Sequence, residues 1–261
     1  MQIDVDAARE FVTTTAGRGT ERWLHSQGAA DAARRVLPCL DATDQDLLIA
    51  AAWLHDIGFD HPRPPTGFHP LDGAQLVLDA GFPSRLAALV AHHSEARFTA
   101  AALGLLDLLN EFERETGPVA DALVYADMSS AADGQPVTVY LRLSELRQRH
   151  AENAPHVRAA RASREPFLIM ATARTEIRMI NSGATSALIL PVAADYQARD
   201  GHIDELQGRH PGRDALDVEA ALHTSASLAF RSHALDVAEQ LEHADALLQA
   251  TDEPDFMEQR A

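Results

Sequence analysis

His55 and Asp56 stand side by side at the end of an apolar run, residues 47–54. His25, His69, the pair His92-His93 and Asp127 lie at suggestive distances from them. Imidazole nitrogen and carboxylate oxygen are the ligands that borderline and hard divalent metals take. A His-Asp pair closing a buried helix puts two such ligands where the chain turns out of the core. His25, His55, Asp56 and Asp127 make a plausible first metal site. Asp127 lies in the apolar stretch Val124-Tyr125-Ala126-Asp127-Met128, where an unpaired carboxylate is costly and a cation removes the cost. His69 with one of His92 and His93 could hold a second ion, with Asp56 bridging through its two oxygens. Two ions ~3.5–4 Å apart clamp the attacking and leaving oxygens of a phosphoryl displacement.

Taken singly, each residue has a plain structural reading. A lone His-Asp dipeptide means little, Asp127 could be a helix-face ion pair, and one of His92 and His93 could be a satisfied neighbour of the other. The joint pattern carries the argument: six of the thirteen His fall between residues 25 and 93, in a segment that reads as all helix. His61 reads as a loop residue. His150, His156 and the five His beyond them lack an apolar, carboxylate-rich context and read as surface or packing residues.

The elements that must position these groups are helices. Ala and Leu dominate the 261 residues, apolar content is 46% and aromatics are 5%. Helices are expected at 6–15, at 20–37 with Thr20 as cap, and from Thr43 or Asp44 to Gly58. The last is apolar on nearly all sides and should be central, with Gly58 ending it in a left-handed turn. Residues 59–68 hold three Pro and a Gly and read as a loop. Further helices are expected at 70–80, 83–94, 99–115, 118–131 and 154–180; residues 137–143 read as a short strand or a helix start. Residues 196–213 read as a connection, 214–250 as a long helix or helical pair that packs on the core or forms a homodimer face, and the tail as frayed.

Charge and cysteine narrow the function. The net charge of −17 argues against a nucleic-acid polymer and against a membrane surface as partner. All 22 basic residues are Arg, whose planar fork suits phosphate and carboxylate. No apolar stretch reaches the ~18 residues of a membrane span. Cys39 has no partner for a disulfide, and the N-terminus lacks a basic-then-apolar leader. A cytoplasmic protein is expected.

His25, then Trp53-Leu54-His55-Asp56-Ile57-Gly58, then Asp127 in a Tyr-Ala-Asp context, resembles the HD superfamily of metal-dependent phosphohydrolases over roughly residues 20–150. The resemblance implies an all-α HD-domain helical bundle at 1–183, with residues 184–261 an additional C-terminal helical region that it does not reach. It implies metal ligands at His25, His55, Asp56 and Asp127. His69, in a His-Pro-x-x-Gly-Ala context, and His92 or His93 match the added histidines of two-metal members. Phe59 stands where many members have Lys, and no Gly-Tyr-Pro follows His93, which argues against a cyclic dinucleotide substrate. The implied activity is hydrolysis of a small phosphorylated metabolite or nucleotide. It would use one or two divalent ions (Fe, Mn, Co, Ni or Zn) and water activated near neutral pH. Arg97 and Arg22 are candidate clamps on the phosphoryl oxygens. The resemblance leaves two other readings open: a mixed-valent di-iron oxygenase on the same ligands, and a non-catalytic sensor or assembly protein.

Overall fold

The computed structural model describes residues 3–184, which lie in the first of the chain's two units, residues 1–194. The described residues are all-α, without strands; the one bridge joins Ser130 to Pro136. The helices are α1 (Val5–Val12), α2 (Glu21–Val36), α3 (Ala42–Leu54), α4 (His69–Asp79) and α5 (Ser84–His92). Then come α6 (Arg97–Leu103), α7 (Leu106–Leu109), α8 (Pro118–Met128), α9 (Val139–Arg149) and α10 (Pro155–Asn181). None is long and apolar enough to cross a membrane. The expectations for 196–213, 214–250 and the tail, including the homodimer face, lie outside the described residues.

α3 is the centre. Every residue from Leu47 to Leu54 is buried, because no face of that run is polar. α2 packs on α3 and α8, and can do so closely because Ala29, Ala30, Ala32 and Ala33 face inward. Trp23 of α2 meets Trp53 of α3 with ring centroids 5.8 Å apart. α4 packs on α5, and α10 spans α6 and α8. A second apolar cluster, with Val124, Met128, Val139, Leu143 and Leu168, fastens α9 and α10 to α8. Asp121 of α8 adds ion pairs to Arg174 (2.9 Å) and Arg178 (2.9 Å) of α10.

Three boundaries differ from the sequence reading. α3 stops at Leu54, and a 3-10 turn, Ile57–Asp60, follows. Gly58 does not take a left-handed conformation. Its missing side chain is needed for closeness: a Cβ there would sit 2.0 Å from the His69 carbonyl oxygen. The expected helix 83–94 ends at His92, and Ser94 and Glu95 both have positive φ. The expected helix 99–115 is two short ones, split at Gly104 with φ +72°. Of the two readings of residues 137–143, the helix start is the one found, with α9 beginning at Val139.

Candidate metal centre

Five helices and two turns deliver the polar groups to one spot. His25 projects from the middle of α2. Gly28, one turn on, lets the 130–134 loop lie against the helix, since a Cβ would come 2.5 Å from the Gly134 carbonyl oxygen. That contact brings the Ala131 carbonyl oxygen 3.1 Å from His25 Nδ1. His55 and Asp56 occupy the turn that ends α3. His69 is the first residue of α4, and Pro70 beside it suits a helix start. The loop before it is tied down by Thr66, whose amide (3.0 Å) and hydroxyl (2.8 Å) both donate to Asp72. His93 follows α5, and Asp127 is in the last turn of α8.

The ligating atoms form two groups that share Asp56. Asp56 Oδ2 lies 3.9 Å from His25 Nε2 and 3.8 Å from His55 Nε2. Asp56 Oδ1 lies 3.4 Å from His69 Nε2 and 3.5 Å from His93 Nε2. Asp127 joins the first group, with Oδ1 3.2 Å from His25 Nε2 and 3.7 Å from His55 Nε2. Each oxygen of Asp56 thus faces a different pair of imidazoles.

The histidine tautomers say what this arrangement wants. His55 Nδ1 lies 2.8 Å from the Ala52 carbonyl oxygen and His93 Nδ1 lies 2.6 Å from that of Val90. A carbonyl only accepts, so these Nδ1 atoms carry hydrogen, as does that of His25. In the neutral rings the lone pair is then on Nε2. His25 and His55 bring their Nε2 atoms within 3.2 Å of each other, and so do His69 and His93. Between neutral His25 and His55 rings the facing lone pairs repel, and a shared cation relieves them. Nitrogen ligands ~2.0–2.1 Å from one ion are themselves roughly 3.0–3.4 Å apart, the separation found here. Backbone carbonyls holding the remote ring nitrogen are also the usual support of metal-bound histidine. The donor set fits one divalent ion at each group.

Electrostatics agree. Burial alone would raise the Asp56 carboxyl, but the His55 charge and hydrogen bonds from His69 and His93 outweigh it and hold it well below its ordinary value. Asp127 is likewise held far down, by His25 and His55 against burial. Burial lowers His55, and it lowers His69 to about 4, so both rings are neutral and able to ligate at pH 7. His93 is raised: burial opposes, but the bond to Asp56 prevails.

Not every candidate arrives. His92 turns away and holds its Nε2 2.8 Å from the Phe112 carbonyl oxygen; His93 takes the inward place. Arg97 is bound to Glu95 (2.7 Å) and packed over the rings of Phe98 and Phe167, away from the cleft. Arg22 does face it. Its guanidinium lies 3.8 Å from Asp56, 3.2 Å from Asp60 and 4.0 Å from the centre of the Phe59 ring. His61 stays in its loop, where it accepts from the Arg63 amide.

Several residues at the site escaped the sequence reading. Ser94 donates its hydroxyl to Asp127. Arg142, buried, brings Nη2 3.2 Å from His25 Nε2 and 3.9 Å from Asp127. Arg149, His150, Arg161 and Arg164 line the cleft, so His150 is more than a surface residue. Helical spacing was the available signal: Arg142 and Arg149 are seven apart, Arg161 and Arg164 three apart, and each pair shares a face.

No curated protein and no solved structure matches the chain significantly. Residues 22–133, the segment that supplies all six converging His and Asp groups, match the family described as the HD domain. Residues 22–133 therefore match an HD domain, and the His and Asp groups that they bring together are compatible with its metal-binding motif.

Proposed function

We propose that the protein hydrolyses phosphate esters of a small phosphorylated metabolite or nucleotide, with two divalent ions held by His25, His55, Asp56 and Asp127 and by Asp56, His69 and His93. One observation carries the reading: Asp56 directs its two oxygens to two separate histidine pairs. When bound, the ions would supply a water nucleophile near neutral pH and offset phosphoryl charge.

The chain's own groups do the rest. Asp56 and Asp127 stay ionised through the working pH range, because their carboxyls lie below their ordinary values. The backbone carbonyls of Ala52, Val90 and Ala131 lock the rings of His55, His93 and His25. Arg22, oriented by Asp60 and stacked on Phe59, offers N–H groups to a phosphoryl oxygen beside Asp56. The partner is a small phosphorylated molecule rather than a nucleic-acid polymer, given the net charge of −17.

The test is a phosphate-ester panel with added Mn, Fe, Co or Ni, before and after chelation. Asp56→Ala should remove both ions, read as metal per chain, and lower turnover by a factor of at least about a thousand, since the metals carry the chemistry. Turnover that survives chelation or the substitution would sink the proposal. Metal analysis with oxygen uptake separates it from di-iron oxygenase chemistry on the same ligands.

A further inference from the structure

The cleft beside the candidate metal centre takes part of its lining from beyond the HD-domain segment. α9 and α10 lie beyond residue 133, and they contribute Arg142, Arg149, Arg161 and Arg164. Arg22 is a fifth guanidinium there. Guanidinium groups withdrawn from water are normally paired. Arg142 and Arg149 share one partner, Glu145, at 2.7 and 2.8 Å. Among the described residues no carboxylate lies within ion-pair distance of Arg161 or Arg164. Arg164 gives one N–H to the Ser94 carbonyl oxygen (3.0 Å). Arg161 buries its Nε without any partner.

The repulsion within this group is felt around it. Burial, then the neighbouring Arg164, brings the Arg161 guanidinium down to about 10. Burial, then Arg161 and Arg164, brings the His150 imidazole down to about 4. The charges also reach the metal centre: Arg161 is near enough to act on Asp56 and His69, and Arg164 on Asp127. Like charges gathered in a half-dry cleft cost stability and concentrate anions there. One phosphoryl group beside Asp56 leaves Arg161 and Arg164 facing the charges of Asp56 and Asp127 with no described carboxylate in ion-pair contact.

The geometry points to a second anion subsite formed by Arg149, Arg161 and Arg164, so that the substrate presents at least two neighbouring phosphoryl groups, one at the metal centre and the next on α9 and α10. This deepens the phosphohydrolase reading and rests on it. The cleft encloses about 140 Å³, well under the ~300–1,000 Å³ that holds a drug-sized ligand. It takes in a phosphorylated head and leaves the remainder of the molecule toward solvent.

The experiment is calorimetric titration of the full-length, metal-loaded protein at fixed salt. The probes are orthophosphate and methylene bisphosphonate, a diphosphate analogue that cannot be hydrolysed. The bisphosphonate should bind at least about tenfold more tightly, as one added charge-assisted contact of roughly 1.5–3 kcal/mol implies. In an Arg149→Gln, Arg161→Gln variant the ratio of the two affinities should fall below about threefold, and Arg161→Lys should keep part of it, having the charge without the fork. A wild-type ratio near one, or a ratio unchanged in the double variant, overturns the subsite. Melting of ligand-free Arg161→Gln guards against a folding artefact. Its midpoint should equal or exceed that of wild type, because a repulsion is removed, and a clear drop would make Arg161 a structural residue and overturn the proposal. A bisphosphonate preference without turnover of any phosphate ester would leave the subsite standing and remove the hydrolase reading instead.

Discussion

Ser94 adopts φ 49° and ψ 37°, a left-handed conformation that costs an ordinary residue about 1–2 kcal/mol. Strain of this kind survives where its surroundings enforce it. Here the Ser94 hydroxyl donates to Asp127 and its carbonyl accepts from Arg164, so the kink joins the metal centre to the arginine cluster. Two substitutions separate strain from hydrogen bond. Ser94→Ala loses the hydroxyl and keeps the strain, while Ser94→Gly loses the hydroxyl and relieves it. Glycine should be the more stable variant by about 1 kcal/mol in urea unfolding, and equal midpoints would show that the backbone is not strained. The same kink explains why His92 and His93 could not be told apart from sequence. Neighbours on a helix point about 100° apart, so the choice depends on where the helix ends, and no glycine or proline marks the end at His92. His150 gives a second residue-level prediction. Its folded value is about 4 against an ordinary 6.5, chiefly through burial. As pH falls below 6.5 the unfolded imidazole gains a proton that the folded one refuses until about pH 4. Stability is therefore lost across that window and this group adds nothing above it. His150→Gln should lose less stability between pH 7 and pH 5 than wild type in denaturant titrations; identical losses would show that His150 carries no such shift.

At the level of elements, the contact between the 57–60 turn and the start of α4 holds the two His/Asp groups in register. A Cβ on Gly58 would meet the His69 carbonyl oxygen at 2.0 Å and the Gly73 nitrogen at 2.5 Å, all of it backbone that has no rotamer to yield. Gly58→Ala should cost more than about 2 kcal/mol and lower metal content, because it pushes His69 away from Asp56. Gly67→Ala is the control: its Cβ would meet nothing within 4 Å, and only φ +69° is strained. It should cost about 1 kcal/mol and leave the metal content alone. Metal content equal to wild type in Gly58→Ala would refute the register argument. α3 itself was legible, since eight consecutive apolar residues can only be buried. Its last turn was not. A glycine after an apolar helix suggests a left-handed stop, and close approach of another backbone leaves the same letter in the sequence. The break at Gly104 is the converse case: there the glycine does take positive φ, inside an apolar run that reads as one helix.

Over the whole molecule, the segment with the converging His and Asp groups holds most of the core but does not close it. Residues 22–133 supply every convergent His and Asp. Yet Ala8 and Val12 of α1 and Met179 of α10 are buried in the main apolar cluster beside Leu48 and Leu54. Leu143 and Leu168 cover Val124 and Met128 on the helix that bears Asp127. The ligand pattern was readable because its chemistry demands fixed residue types. The contribution of α9 and α10 was not, because an arginine facing a cleft and one facing water look alike in a chain whose only basic side chain is Arg. Removing α1, α9 and α10 strips apolar cover worth roughly 1.5–3 kcal/mol for each large side chain, against a total stability of about 5–15 kcal/mol for a domain. A 22–133 fragment should thus fail to fold cooperatively. Circular dichroism should show no sharp thermal transition, and the fragment should bind dye at exposed apolar surface. Residues 3–184 keep the whole described core and should melt in one step, at a midpoint that chelation lowers, because an ion bound only by the folded state stabilises it by mass action. A fragment 22–133 that melts cooperatively and retains metal would show instead that the ligand-bearing helices form a self-sufficient core, with α9 and α10 needed for the arginine cluster alone.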